Sequence, residues 1–138
     1  MITAISRAQI NDSLPRAIPG LQRTLNETSL GSSWTIEDLA DHLVNYAVYA
    51  FLQEESGFAG VIQVMEAPRS RNLNWFWAGK DPDNKTPIDF AEVDAFLVTA
   101  AQHFQCNKLV CDGRIGWERI SKPYGYHEDG RVYVKTIE

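Results

Sequence analysis

Gln105-Cys-Asn-Lys-Leu-Val-Cys-Asp-Gly-Arg-Ile-Gly-Trp-Glu-Arg-Ile-Ser-Lys-Pro-Tyr-Gly-Tyr126, followed after a polar turn by Arg131-Val-Tyr-Val-Lys-Thr-Ile137, decides how this chain is read. Residues 108–111 are a short apolar run suited to a strand. Residues 114–124 read as a short helix led by an arginine, and Gly125 suits the left-handed position after it, with Pro123 near that end. Residues 131–137 alternate apolar and polar side chains and predict a last strand. The chain therefore closes with a strand, a helix and a strand.

Upstream, Phe90, Val93, Phe96, Leu97, Ala100, Ala101 and Phe104 mark one wide apolar face of a helix, and Asp89 with Glu92 supplies a capping signal before it. Residues 79–89 form a loop rich in Asp, Asn, Lys and Pro. Three strand-like runs precede that loop, at residues 48–54, 58–66 and 73–78. Turn signals at Glu55-Ser56-Gly57, and at Pro68 with the polar residues 69–72, separate them and predict an antiparallel meander. Trp75 and Trp77 stand two apart and are expected on one strand face, as core residues or as a ligand platform or protein interface. Thr35 with Asp38 three residues later starts a helix carrying Leu39, Leu43 and Ala47. Residues 5–29 have Ile, Leu and Ala at irregular helical spacing, interrupted by Pro15 and Pro19, and read as a broken helix or two short turns. The expected fold class is α/β (α+β): a single domain over residues 1–138, with a mixed, mostly antiparallel sheet flanked by helices. Residues 1–33 form its helical N-terminal segment and residues 34–138 its core.

Composition excludes several classes. A chain of 138 residues with 44% hydrophobic and 22% charged residues has enough core for one domain without metal or disulfide staples. A net charge of −5 argues against general nucleic-acid binding, which depends on many phosphate-neutralising lysines and arginines. No apolar run approaches the ~20 residues that span a bilayer. The first residues lack the pattern of a secretory signal, so a cytoplasmic protein is expected. Cys106 and Cys111 lack metal or redox spacing; they are expected as free thiols whose odd offset sends them to opposite faces. His42, His103 and His127 are scattered, and no metal site is expected. No nucleophile elbow and no phosphate-binding Gly-x-x-x-x-Gly-Lys loop occurs.

The order of elements from residue 34 onward, with Gly113-Arg114-Ile115-Gly116-Trp117 and the later Gly125-Tyr126 pair, resembles the GNAT-type N-acetyltransferase domain. The same run with Lys122-Pro123-Tyr124-Gly125-Tyr126 looks more narrowly like small GNAT-like proteins encoded by tailed phages and prophages. The resemblance implies a strand, loop and helix that hold the pantetheine and pyrophosphate of acetyl-CoA, and a V-shaped splay between the third meander strand and the strand at Lys108. It places Gly79, Lys80 and Lys85 as the cofactor-loop contacts. The family's loop signature is Arg or Gln, two residues, Gly, one residue, and Gly or Ala. Residues 79–89 depart from it with one glycine, two prolines and three carboxylates. Many family members carry a proton-donating tyrosine four residues before the Gly-aromatic pair; Ser121 stands there, and Tyr124 is near in sequence. Glu66 and Asp112 are the carboxylates available as a base, and no catalytic residue is assigned.

These departures favour a protein degenerate in acetyl-CoA binding, a structural or assembly component working through other phage proteins in the host cytoplasm or virion. The alternative is an acetyl-CoA-dependent N-acetyltransferase acting on a small amine or a protein. Arg114 and Arg119, with Lys122 and Lys108 nearby, are read as an anion or partner contact or as a solvated basic face paired with Glu118 and Asp112. Trp117 is expected in the core. A homo-oligomer stays open.

Overall fold

The computed structural model describes residues 1–111, 117–130 and 132–137, the side chain of Glu118 excepted. A first strand, β1 (Ile2–Ile5), leads through a 3-10 turn into α1 (Ile10–Glu27). Next come α2 (Ile36–Val44), β2 (Tyr49–Gln53), β3 (Phe58–Ala67) and β4 (Ser70–Lys80). Then follow α3 (Phe90–His103), β5 (Lys108–Cys111) and α4 (Trp117–Ser121), the last extended by a 3-10 turn at Lys122–Tyr124. The strands form one five-stranded sheet in the order β1-β2-β3-β4-β5. Its first three pairings are antiparallel and β4 with β5 is parallel.

The N-terminal segment differs from its expected form in two ways. Residues 2–5 pair with β2 and give the sheet an edge strand. Residues 10–27 form one unbroken helix that contains both Pro15 and Pro19. The two prolines are exposed, four residues apart on the solvent side, and so are Asn11 and Pro15, whose carbonyls lose their helical donor. Water can satisfy those carbonyls, while Leu14, Ala17, Leu21 and Leu25 keep the opposite side buried. Tertiary burial outweighs the local cost of each proline.

The sheet separates two cores. Because side chains alternate along β2, Ala50 and Leu52 join the α1 and α2 side, while Phe51 joins the α3 side. α2 opens with a full capping box: Thr35 Oγ1 accepts from Asp38 N (3.1 Å) and Asp38 Oδ2 accepts from Thr35 N (3.0 Å). α3 is capped by Asp89, whose carboxylate accepts from Glu92 N (3.2 Å). α1 lies directly on β4, where Gly20 and Gly79 meet backbone to backbone; a Cβ on either would stand well inside contact distance of the other's carbonyl oxygen.

A register shift between Val61 and Ile62 changes the expected layout of β4. Val61 pairs with Trp77 and Ile62 with Trp75, so Phe76 is the extra residue of a β-bulge. Trp75 and Trp77 therefore do not share a face: Trp77 packs with α1 and α2, Trp75 with α3. The bulge cancels the two-residue alternation that sequence spacing predicts. The polar run at residues 69–72 is mostly strand rather than turn, because the hairpin closes as tightly as Ala67 opposite Ser70. Cys106 precedes β5 and escapes strand alternation, so Cys106 and Cys111 pack on the same core, both as free thiols. Residues 132–137 form no strand, contrary to their alternation, and stand exposed. An alternating sequence needs a ladder to become a strand, and among the described residues this segment has no partner in the sheet.

Candidate functional site

The end of the described pairing between β4 and β5 is the feature around which a site is built. Parallel pairing runs from Asn72 opposite Lys108 to Trp75 opposite Cys111. β4 then continues to Lys80 without a β5 partner among the described residues. The bulge at Phe76 falls where this pairing ends.

Aromatic side chains pack together on the α3 side of this end of the pairing. The rings of Trp75 and Trp117 meet edge to face with centroids 5.2 Å apart, and Phe90 stands 5.8 Å from Trp117. Tyr126 approaches Trp117 at 6.5 Å. Trp117 Nε1 donates to Cys111 Sγ (2.9 Å), and Trp75 Nε1 donates to the Trp77 carbonyl (3.1 Å). The void left among Trp75, Phe90, Asp94, Trp117 and Tyr126 is about 10 Å³, no more than a single water requires. Burial, and then a hydrogen bond to the Asp94 carboxylate, pushes the Tyr126 phenol well above its ordinary range.

Between β4 and α3, the loop satisfies much of its own hydrogen bonding. Asp81 Oδ1 accepts from Asp83 N (2.9 Å), and Asn84 Oδ1 accepts from Thr86 N (2.9 Å). Gln53, buried at the end of β2, accepts from Asp89 N (3.1 Å) and donates to the Asp89 carbonyl and to Glu92 Oε1 (both 3.0 Å). Pro82 and Pro87 have no N–H to offer. The amides of Asp83, Thr86 and Asp89 are thus engaged within the chain, and at the α3 N-terminus the Glu92 amide is already held by the Asp89 carboxylate.

The residues singled out from the sequence are scattered by this arrangement. Gly79 is pressed against α1. The Lys80 ammonium donates to the Asn84 carbonyl across the loop, and Lys85 is exposed on it. Trp75 belongs to the aromatic cluster, and Trp77 to the other core, where its Nε1 donates to the Leu21 carbonyl (3.1 Å). Arg119 and Lys122 are exposed, whereas Arg114 and Asp112 lie outside the described residues. Glu66 is paired with Arg71. Ser121 is buried at 5% and Tyr124 is exposed at 41%. Sequence reasoning missed Gln53 and the Asp94 partner of Tyr126. Gln53 carried one readable sign, a polar residue ending the apolar run Tyr-Ala-Phe-Leu-Gln.

No protein-family model matches the sequence, and no curated protein matches it. Solved structures do match in shape over the whole chain. A predicted acetyltransferase with acetyl-CoA from Clostridium acetobutylicum has a TM-score of 0.69 at 15% identity, covering 98% of this chain and 95% of that one. This chain has the fold of the GNAT acetyltransferases. A ribosomal-protein-alanine N-acetyltransferase from Brucella melitensis biovar Abortus 2308 gives a TM-score of 0.66 at 15% identity, with 99% of each chain covered. An aminoglycoside N-acetyltransferase in complex with CoA gives 0.69 at 10% identity, covering 100% of this chain and 99% of that one. At these identities the GNAT likeness is one of fold.

Proposed function

We propose that this chain is an acyl-CoA-dependent N-acyltransferase that transfers an acetyl group to an amine. The observation that carries the reading is the extension of β4 past its parallel pairing with β5, in a fold shared over its full length with acetyltransferases solved with acetyl-CoA and CoA. An extended strand edge offers backbone groups to the amides of pantetheine. Lys80 and Lys85 are the side chains that fit the phosphates. The amides of Asp83, Thr86 and Asp89 contribute little, because they are bonded within the chain. The phosphates are thus met by charge rather than by a backbone cradle, and Asp81, Asp83 and Asp89 in the same loop weaken the attraction. Affinity is accordingly modest and sensitive to salt. Acetyl-CoA supplies the activated acetyl group; the chain binds it, orients it and excludes water. Tyr126 Oη holds its proton through the neutral range.

A second reading draws on the same loop: a GNAT-fold protein without catalysis that binds partner proteins, such as those of a phage assembly. The filled aromatic cluster and the acidic, self-bonded loop favour it.

One experiment separates the two. Purified protein is melted with and without millimolar acetyl-CoA, and free thiol release is followed with a panel of small amines. Binding to the native state alone adds about 2.7 kcal/mol at a hundredfold excess over Kd. A raised melting temperature with amine-dependent thiol release is the expected outcome. An unchanged melting temperature in a folded protein overturns the acyltransferase reading and leaves the binding role.

A further inference from the structure

On the sheet face opposite α3, the early part of β4 lies bare among the described residues. Leu73 and Trp75 point into the α3 core, so Asn72 and Asn74 point the other way, and Val110 of β5 does the same between Leu109 and Cys111. With Met65, Glu66 and Ala67 of β3 they line an open trough of about 360 Å³, to which no helix contributes a side chain. Met65 is exposed at 50% and Val110 at 38%. The carboxamides of this trough are poorly satisfied. Asn72 Oδ1 is buried without a hydrogen-bond partner among the described residues. The Asn74 amide donates to the Met65 thioether (3.5 Å), a weak acceptor. Glu66 is engaged by Arg71, and Lys108 stands exposed on the same strand face as Val110. One end of the trough is walled. Phe76, the bulge residue, turns to the side of Asn74 and packs against Trp34 with ring centroids 5.5 Å apart, and His42 stands edge to face with Trp34 at 4.9 Å. This wall falls where the described pairing of β4 with β5 ends, at Trp75 opposite Cys111.

We propose, resting on the acyltransferase reading, that this trough binds the first residues of an extended peptide, whose N-terminal α-amine is the acetyl acceptor. Asn72 and Asn74 are two residues apart on one strand face, so their carboxamides repeat at about 6.6–6.8 Å. Peptide groups that point to one side of an extended chain repeat at the same spacing. A carboxamide carries both donors and an acceptor, the complement of a backbone C=O and N–H. A turn about the last torsion of Asn72, which is broad for carboxamides, aims Oδ1 into the trough, where a peptide N–H supplies the missing donor. Met65 and Val110 give apolar contact to the side chains of the peptide. Charge narrows the class further. A polyamine, or a sugar with several ammonium groups, calls for free carboxylates; here the lining carboxylate is held by Arg71, and Lys108 adds positive charge. The wall of Phe76 and Trp34 stops an extended chain, so a chain end meets it, and the end that carries a nucleophile is the N-terminus. There the ammonium gives one proton to water, and the freed amine nitrogen attacks the thioester carbonyl. The N–C bond forms, the C–S bond breaks, and the second proton that the nitrogen releases goes to the departing sulfur.

The test follows thiol release from acetyl-CoA with three acceptors: a short peptide with a free N-terminus, an N-terminally blocked peptide carrying one lysine, and glucosamine. The expected kcat/KM is at least tenfold higher for the free N-terminus than for glucosamine, with no release from the blocked peptide. Peptide binding is read separately, without acetyl-CoA, from the fluorescence anisotropy of the free-N-terminus peptide labelled at its other end. Asn72→Ala and Asn74→Ala are each expected to weaken that binding at least tenfold, while the rise in melting temperature given by acetyl-CoA stays that of the wild type. Release that favours glucosamine or the blocked lysine peptide, with acetyl-CoA still raising the melting temperature, overturns the proposal and leaves the acyltransferase reading standing. So does peptide binding indifferent to both substitutions, which would use another surface. No melting shift, together with no release from any acceptor, overturns the acyltransferase reading itself, and the peptide acceptor falls with it.

Discussion

Tyr126 shows how one residue's surroundings set a measurable pH response. Burial and the neighbouring Asp94 carboxylate raise its phenol above the ordinary 10.0. The unfolded chain loses this proton near its ordinary value while the folded chain still holds it. Above that pH the folded state binds more protons than the unfolded state, so stability falls as pH rises. Below it the contribution is complete. Urea unfolding between pH 8 and 11 is expected to show this decline in the wild type and a shallower one in Tyr126→Phe. Equal slopes would mean the phenol is solvated in the folded protein. Trp75 and Trp77 make a related point about what a residue can reveal alone. Spacing by two reads as a shared face, and only the bulge at Phe76 sends one indole to each core. Nothing in the residue types at Trp75, Phe76 and Trp77 marks the irregularity. It arises where β4 must satisfy both its ladder with β3 and two different cores.

Among the elements, the docking of α1 on β4 carries the sharpest expectation. Gly79 was legible in the sequence only as a loop glycine before an anion site. In the fold its bare Cα lets Gly20 and Thr24 approach the strand, and Thr24 Oγ1 donates to the Ala78 carbonyl. Gly79→Ala is therefore expected to cost about 1–3 kcal/mol without any ligand present, as overpacking against a backbone does. The measurement is the urea midpoint of the free protein; a glycine kept only for a ligand would show no change. The elements that sequence reasoning located well were those with strong local signals. The Thr35 and Asp38 capping box, the broad apolar face of α3, and the meander of β2, β3 and β4 all appeared where expected. Those it missed depend on partners far along the chain. β1 is a strand only because Ile2 to Ile5 find Gln53 to Ala50. α1 survives its two prolines only because its other side is buried. Residues 132–137 carry the strand pattern and have no strand partner among the described residues.

For the whole molecule, one sheet shared by two cores predicts a single cooperative unit. β2 and β3 send alternate side chains into both clusters, so neither core persists once the other has lost its sheet. Trp34 and Trp77 report on one side, Trp75 and Trp117 on the other. A variant with Trp75 and Trp117 replaced by Phe, and another with Trp34 and Trp77 replaced, each isolate one set of probes. Fluorescence and far-ultraviolet circular dichroism are expected to give coincident urea transitions in both. Separate midpoints in either variant would show that the two sides melt independently. The bulge also has a consequence for how this chain tolerates changes of length. β4 behaves as a message read in two frames, with Phe76 as the single step between them. Substitution at Phe76 leaves that step in place. Deleting the residue would only make the ladder regular, because Trp75 and Trp77 would still face Ile62 and Val61; inserting one between Leu73 and Trp75 shifts parity and drives a whole layer of side chains through the sheet to the wrong side. Deletion of Phe76 apart, a library of single-residue insertions and deletions would therefore find β4 far less forgiving than the loop that follows it, whatever the chemistry of the residue added.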